Sequence, residues 1–228
     1  MEQIQAVQHV DRYVHQRRNT DQKFVNWGLY FFVLSWVTLG IYPLVIFYRR
    51  LDRADLFRDR RAHYYDSVIV ATRQYAEIDR SYSAAHDDIN DLERFTRERF
   101  KDEHKPIKAG LSLFLSIITL GIYGFISVCR LMNFWWEIQL TEQDFDEKLS
   151  VIWTKLALLK YPLTFEPNEE LHRSFGLHLF LTVITFGIFG IVWDYRLHTD
   201  PEKVYEEFHS VEDEVLSTLR SASPTSSY

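Results

Sequence analysis

The sequence predicts an all-α membrane protein in which three repeated hydrophobic units alternate with amphipathic helices. Three mostly apolar runs of about 20 residues match a hydrocarbon core of roughly 30 Å. Near the centre of each run stands one phrase, spelled Thr38-Leu39-Gly40-Ile41-Tyr42-Pro43, Thr119-Leu120-Gly121-Ile122-Tyr123-Gly124 and Thr185-Phe186-Gly187-Ile188-Phe189-Gly190. The polar segments between the runs place apolar residues at steps of three and four, the period of one helix face.

The likeness extends beyond the phrase. Counting from the Thr, each copy has Leu four residues earlier (Leu34, Leu115, Leu181), a small hydroxyl three earlier (Ser35, Ser116, Thr182) and Arg eleven later (Arg49, Arg130, Arg196). Copies of one unit are expected to make one structure. In lipid, the hydroxyls hide their polarity by bonding back to a carbonyl one turn earlier. Gly40, Gly121 and Gly187 tolerate positive φ, and Pro43, Gly124 and Gly190 follow three residues on, so a break is expected in this step. The Arg closes each run at the polar boundary, its stem lying in the interface.

Two geometries satisfy the unit. Each run is either a kinked transmembrane helix or a re-entrant helical hairpin with arms of about ten residues reaching half way in. Spanning runs would invert the middle copy relative to its neighbours, whereas hairpins keep all three the same way round. Basic residues flank both ends of each run: Lys23 with Arg49 and Arg50, Lys105 and Lys108 with Arg130, and Arg173 with Arg196. Lys and Arg at both ends fit both ends facing the cytoplasm.

The third copy continues as Ile191-Val192-Trp193-Asp194-Tyr195-Arg196. It resembles the signature of a family of small prokaryotic membrane proteins of unknown function, whose units carry T-x-G-I-Y followed by W-x-x-R. The resemblance covers about a third of the chain, and the first two copies have Ile46 and Ser127 where the third has Trp193. It implies membrane residence and brings no established activity.

In chain order, residues 1–22 place Ile4, Val7, Val10 and Val14 on one face of an N-terminal amphipathic helix. The first membrane unit, 23–50, is rich in interfacial aromatics such as Trp27, Tyr30, Trp36 and Tyr48. From Arg49 to Lys105 there is neither Gly nor Pro. Over 51–105, Ala54, Phe57, Tyr64, Val68, Ala71, Tyr75, Ile78, Tyr82, Ala85, Ile89 and Leu92 form a heptad-like seam with one gap at Arg61. That pattern predicts a long charged helix, or a helical hairpin turning near Asp79 to Ser83. The second unit occupies 106–130. In the amphipathic segment 131–172, Thr141-Glu142-Gln143-Asp144 resembles a helix start, and Phe145, Leu149, Ile152, Leu156 and Leu159 continue the stripe towards Pro162 and Pro167. The third unit, 173–196, holds His178 near its start, and Asp194 is placed to pair with Arg196. Asp200-Pro201 is expected to cap a C-terminal helix, 197–220, carrying Val204, Phe208, Val211, Val215 and Leu219. Residues 221–228 form a small, polar tail expected to be disordered.

Composition narrows function. A net charge of −6 argues against a nucleic-acid binder. The single cysteine, Cys129, excludes an internal disulfide framework. None of the nine His residues forms H-x-x-x-H, and there is no C-x-x-C, Walker loop, dinucleotide fingerprint or G-x-S-x-G elbow, so neither an enzyme nor a cofactor or metal is expected. The expectation is an integral scaffold or assembly protein of the inner (cytoplasmic) membrane with its polar segments mainly cytoplasmic. It would self-associate, as a homo-oligomer or within a membrane complex, and shape the bilayer or recruit a partner. The alternative is a subunit of an oligomeric channel or transporter, which broken apolar helices also suit.

Overall fold

At each T-x-G the chain reverses. The computed structural model describes residues 2–21, 23–78, 82–159 and 161–222, apart from the side chains of residues 2–5 and Tyr82. The chain is all-α, with no strand among the described residues. Helix α1 (Glu2–Thr20) precedes a short arm, α2 (residues 27–37), and the long α3 (Ile41–Ile78). Helix α4 (Tyr82–Glu98) runs on through a π turn, Arg99–Glu103, before the second arm, α5 (Ala109–Ile118), and the long α6 (Ile122–Lys155). A mostly non-helical strap then leads to the third arm, α7 (Phe175–Ile184), and the long α8 (Ile188–Ala222). A π turn at Tyr30–Leu34 absorbs the one residue by which α2 exceeds the 10-residue arms α5 and α7.

Each apolar run is therefore a helical hairpin and not a kinked spanning helix. Among the described residues no helix is long and apolar enough to cross a membrane. The long helices pass unbroken through residues 50, 130 and 196, where separate polar segments were expected to begin. Thr141 starts no helix, because its hydroxyl donates back to the Glu137 carbonyl (3.1 Å) within α6. Pro201 likewise lies inside α8. The Leu197 carbonyl, which the missing proline N–H leaves free, accepts from Arg53 Nη2 instead (3.0 Å), so the helix continues. Residues 79–81 of the expected turn, residues 223–228 of the expected tail and the Ile4 side chain lie outside the described residues, while residues 221 and 222 belong to α8.

The three long helices run parallel, with their hairpin tips at one end. Arg61, Glu142 and Glu212, each roughly six to seven turns past its own hairpin Gly, meet in one ion-pair cluster. Arg50 and Asp194, roughly two to three turns past theirs, also pair. Matching depths from the tips require parallel helices. One ring from each long helix fills the axis: Phe57, Trp135 and Tyr205 stand with centroids 5.3–5.7 Å apart.

A returning segment lies in every groove of this trio. Helix α1 packs on α3 and α8, and α4 packs on α3 and α6. The strap fills the third groove, where Leu163 N–H donates to Ser150 Oγ (2.8 Å), Asn168 N–H to Gln139 Oε1 (3.0 Å), and Phe165 meets Phe208 edge-on (4.9 Å). The chain thus repeats one plan three times: return segment, short arm, reversal, long helix. The heptad seam is consumed by this packing. Ala54, Phe57, Tyr64, Val68, Ala71, Ala85, Ile89 and Leu92 are buried within one chain, as are Val10 and Val14 of α1, while Ile78 is exposed.

Candidate lipid interface

The three tips are built alike, atom for atom. Thr38, Thr119 and Thr185 donate to the Leu34, Leu115 and Leu181 carbonyls (2.7–2.8 Å) and accept the N–H of Tyr42, Tyr123 and Phe189 (2.9–3.0 Å). One hydroxyl therefore closes the first arm and opens the second. Gly40, Gly121 and Gly187 sit at φ of 85°, 94° and 91° and donate to the Ser35, Ser116 and Thr182 carbonyls (2.7–2.9 Å). The residue before each Gly donates to the carbonyl three back (3.1–3.2 Å), which completes a Schellman ending.

That preceding residue is the informative one, and the repeat pattern left it as a wild card. Leu39, Leu120 and Phe186 hold φ of 50–51°, a left-handed conformation that disfavours side chains by about 1–2 kcal/mol. Glycine is the residue normally used there. Instead these tips carry large apolar groups that are 92%, 94% and 97% exposed. Water gives no reason to hold a strained Leu or Phe at full exposure. The signal was present in the sequence, since the variable position is large and apolar in all three copies.

Pro43, Gly124 and Gly190 do not break the helix. They lie in its first turn, where Pro lacks nothing the helix uses. A Cβ on Gly124 would stand 3.5 Å from Ser116 Oγ, and one on Gly190 would stand 3.2 Å from Thr182 Cγ2, so small residues let the arms approach. Exposed large apolar side chains are confined to these hairpins apart from Val70, Ile78, Leu140, Val151 and Tyr161 among the described residues. A patch of this extent is rare on a soluble monomer.

Polar groups gather where the hairpins meet the bundle. Asn26 and Ser174 cap the starts of α2 and α7, while Asp55 of α3 accepts the N–H groups of Ile107, Lys108 and Ala109 at the start of α5 (2.6–3.2 Å). Arg49 lies over Phe24 (5.0 Å), Arg130 donates to the Pro106 carbonyl (3.1 Å), and Arg196 approaches His178 Nε2 (3.4 Å). Ile46, Ser127 and Trp193 occupy one equivalent, buried position. Asp194 does not pair with Arg196. It accepts instead from Arg50 Nη1 (2.6 Å) and Trp27 Nε1 (2.8 Å), because it faces the first hairpin across the trio.

Deeper in the bundle lies an ionic centre. Arg61 donates to Glu212 (2.6 Å) and to Glu142, Tyr65 also donates to Glu142, and Arg60 bridges Glu212 (2.6 Å) and Asp21 (3.0 Å). Burial opposes the charge on Arg61, but Glu142, Tyr65 and Glu212 outweigh it and hold it cationic. Asp146 nearby is pushed well up by burial and by Glu142. No group of three His, Cys, Asp or Glu among the described residues is arranged to hold a metal ion.

Two buried imidazoles set a pH response. His104 Nε2 donates to Thr141 Oγ1 (2.7 Å), and His198 Nε2 donates to the Val25 carbonyl (2.8 Å). Burial lowers both from 6.5 to about 4. The unfolded chain therefore takes up protons below about pH 6.5 that the folded chain refuses until about pH 4. Their contribution is complete above 6.5 and is lost as pH falls through 4. Thermal melts should fall across that window, and the H104N/H198N double variant should flatten the fall. Comparison of the chain with protein-family models, with curated proteins and with solved structures found no match.

Proposed function

We propose that the three hairpins insert side by side into one leaflet and that the helical bundle stands on the cytoplasmic face of the inner membrane as a scaffold. The observation that carries this reading is the trio of strained, fully exposed apolar tips at one end. A ten-residue arm rises about 15 Å, half the hydrocarbon thickness. The caps and the arginines of the three roots then lie at headgroup depth, where long basic side chains are favoured.

Three wedges in one leaflet displace lipid on one side only, which favours a curved or locally ordered bilayer. With the heptad seam filled inside one chain, association between copies falls to the apolar flanks of the hairpins. The channel alternative gains no support from the axis, which is packed with aromatic rings and ion pairs.

Co-flotation with phosphatidylcholine vesicles, followed by cysteine labelling at positions 12, 88, 143 and 210, tests the reading. The protein should float, resist extraction by salt, and present all four positions on one face. Labelling from opposite faces, or failure to float, would end it.

A further inference from the structure

Between the root of the third hairpin and α6 lies a narrow pocket, and we propose that it binds the phosphate of an anionic phospholipid headgroup. The proposal rests on the membrane reading above. Only about 30 Å³ of the space is deep enough to centre a water-sized atom, so it admits a few headgroup oxygens and no acyl chain.

The lining sets donors among the apolar side chains of Met132, Leu171, Leu197 and Pro201. Arg173 and Arg196 form part of the wall, together with His178, Trp135, Trp193 and Asp200. Asp200 is the one carboxylate there, and it accepts from Arg173 Nη1, leaving the rest of that guanidinium fork for a second anion. His178 Nδ1 lies 2.9 Å from the Ser174 carbonyl and donates to it, so its Nε2 accepts from Arg196. Trp135 and Trp193 are 5% and 7% exposed, yet neither indole N–H meets an acceptor. A buried donor left unmet costs about 1–3 kcal/mol. Both indoles stand in the wall beside two guanidinium groups, whose free N–H groups match the acceptor oxygens of a phosphate.

The other two roots are built differently. In the first, the Phe24 ring stacks under Arg49 and Arg53 (5.0 and 4.0 Å). In the second, the smaller Ser127 replaces the indole and Arg130 is held by the Pro106 carbonyl. The open root belongs to the copy that has the Trp.

Binding of the intact protein is compared on vesicles of phosphatidylcholine alone and of phosphatidylcholine with phosphatidylglycerol, alongside thermal protection by inorganic phosphate without lipid. The protein should prefer phosphatidylglycerol. Arg173→Gln and Arg196→Gln should each lower that preference about fivefold while leaving phosphatidylcholine binding in place. Trp193→Phe, which removes the N–H and keeps a ring, should lower it too. Arg220→Gln, on a surface pair with Asp11 far from the hairpins, should not. An unchanged preference in the two arginine variants overturns the pocket. Protection by inorganic phosphate with no phosphatidylglycerol preference overturns the lipid source. Loss of binding to both vesicles by the intact protein overturns the membrane reading and the pocket with it.

Discussion

Replacing Leu39, Leu120 and Phe186 together with Asp should abolish vesicle binding and leave the bundle folded. Withdrawing one Leu or Phe from hydrocarbon costs about 1.5–3 kcal/mol, and an Asp at mid-depth adds roughly 2.5–3.5 kcal/mol. One tip is therefore worth about a thousandfold or more in partitioning, since about 1.4 kcal/mol is a factor of ten. Nothing packs on these side chains, which are over nine-tenths exposed, so melting temperature in detergent should hold. The Gly versions sharpen the test because two effects take opposite signs. Glycine removes the left-handed strain at φ near 50° and should raise or hold stability by about 1 kcal/mol, while vesicle binding weakens. A tip that matters only to the turn would gain stability and lose no binding.

The largest loss of stability should come from Arg61→Met. Glu142 pairs with this guanidinium beside Tyr65, and Glu212 shares it with Arg60; removing one partner of a buried ion pair costs about 3–5 kcal/mol. Against a typical total of about 5–15 kcal/mol, that brings the protein close to unfolding. Urea denaturation at neutral pH measures it. The triple change Arg61→Met, Glu142→Leu and Glu212→Leu should recover most of the loss, because Arg60 keeps Asp21 as its partner (3.0 Å). A single variant that loses less than about 1 kcal/mol would mean that the centre is hydrated and holds nothing together.

Much of the hairpin was readable in the sequence. The Thr, the Gly and the small hydroxyl recur at fixed spacing; the Thr and the Gly make the same hydrogen bonds in all three copies, while the small hydroxyl bonds four residues back in the second and third and five back, across the π turn, in the first. The reversal itself was left open against a kinked span, because apolar length alone suits both. The ionic centre was hidden. Arg61 appeared only as a gap in a heptad seam, since a charge in such a pattern reads as a solvated position, yet it is fully buried. Its partners lie 81 and 151 residues away, a pairing that no local spacing encodes. Thr141 and Pro201 misled for a related reason. A hydroxyl that bonds back within a helix has the same composition as a cap, and a proline is tolerated once a distant Arg53 takes the carbonyl it frees.

The most direct measurement is the immersion depth of spin labels at positions 39, 120 and 186 in phosphatidylcholine bilayers, read by accessibility to oxygen and to a water-soluble nickel chelate. All three should lie in hydrocarbon near mid-depth, with labels at 88 and 143 in water on a single face. Labels at 39, 120 and 186 that are open to the nickel chelate, or 88 and 143 on opposite faces, would contradict it.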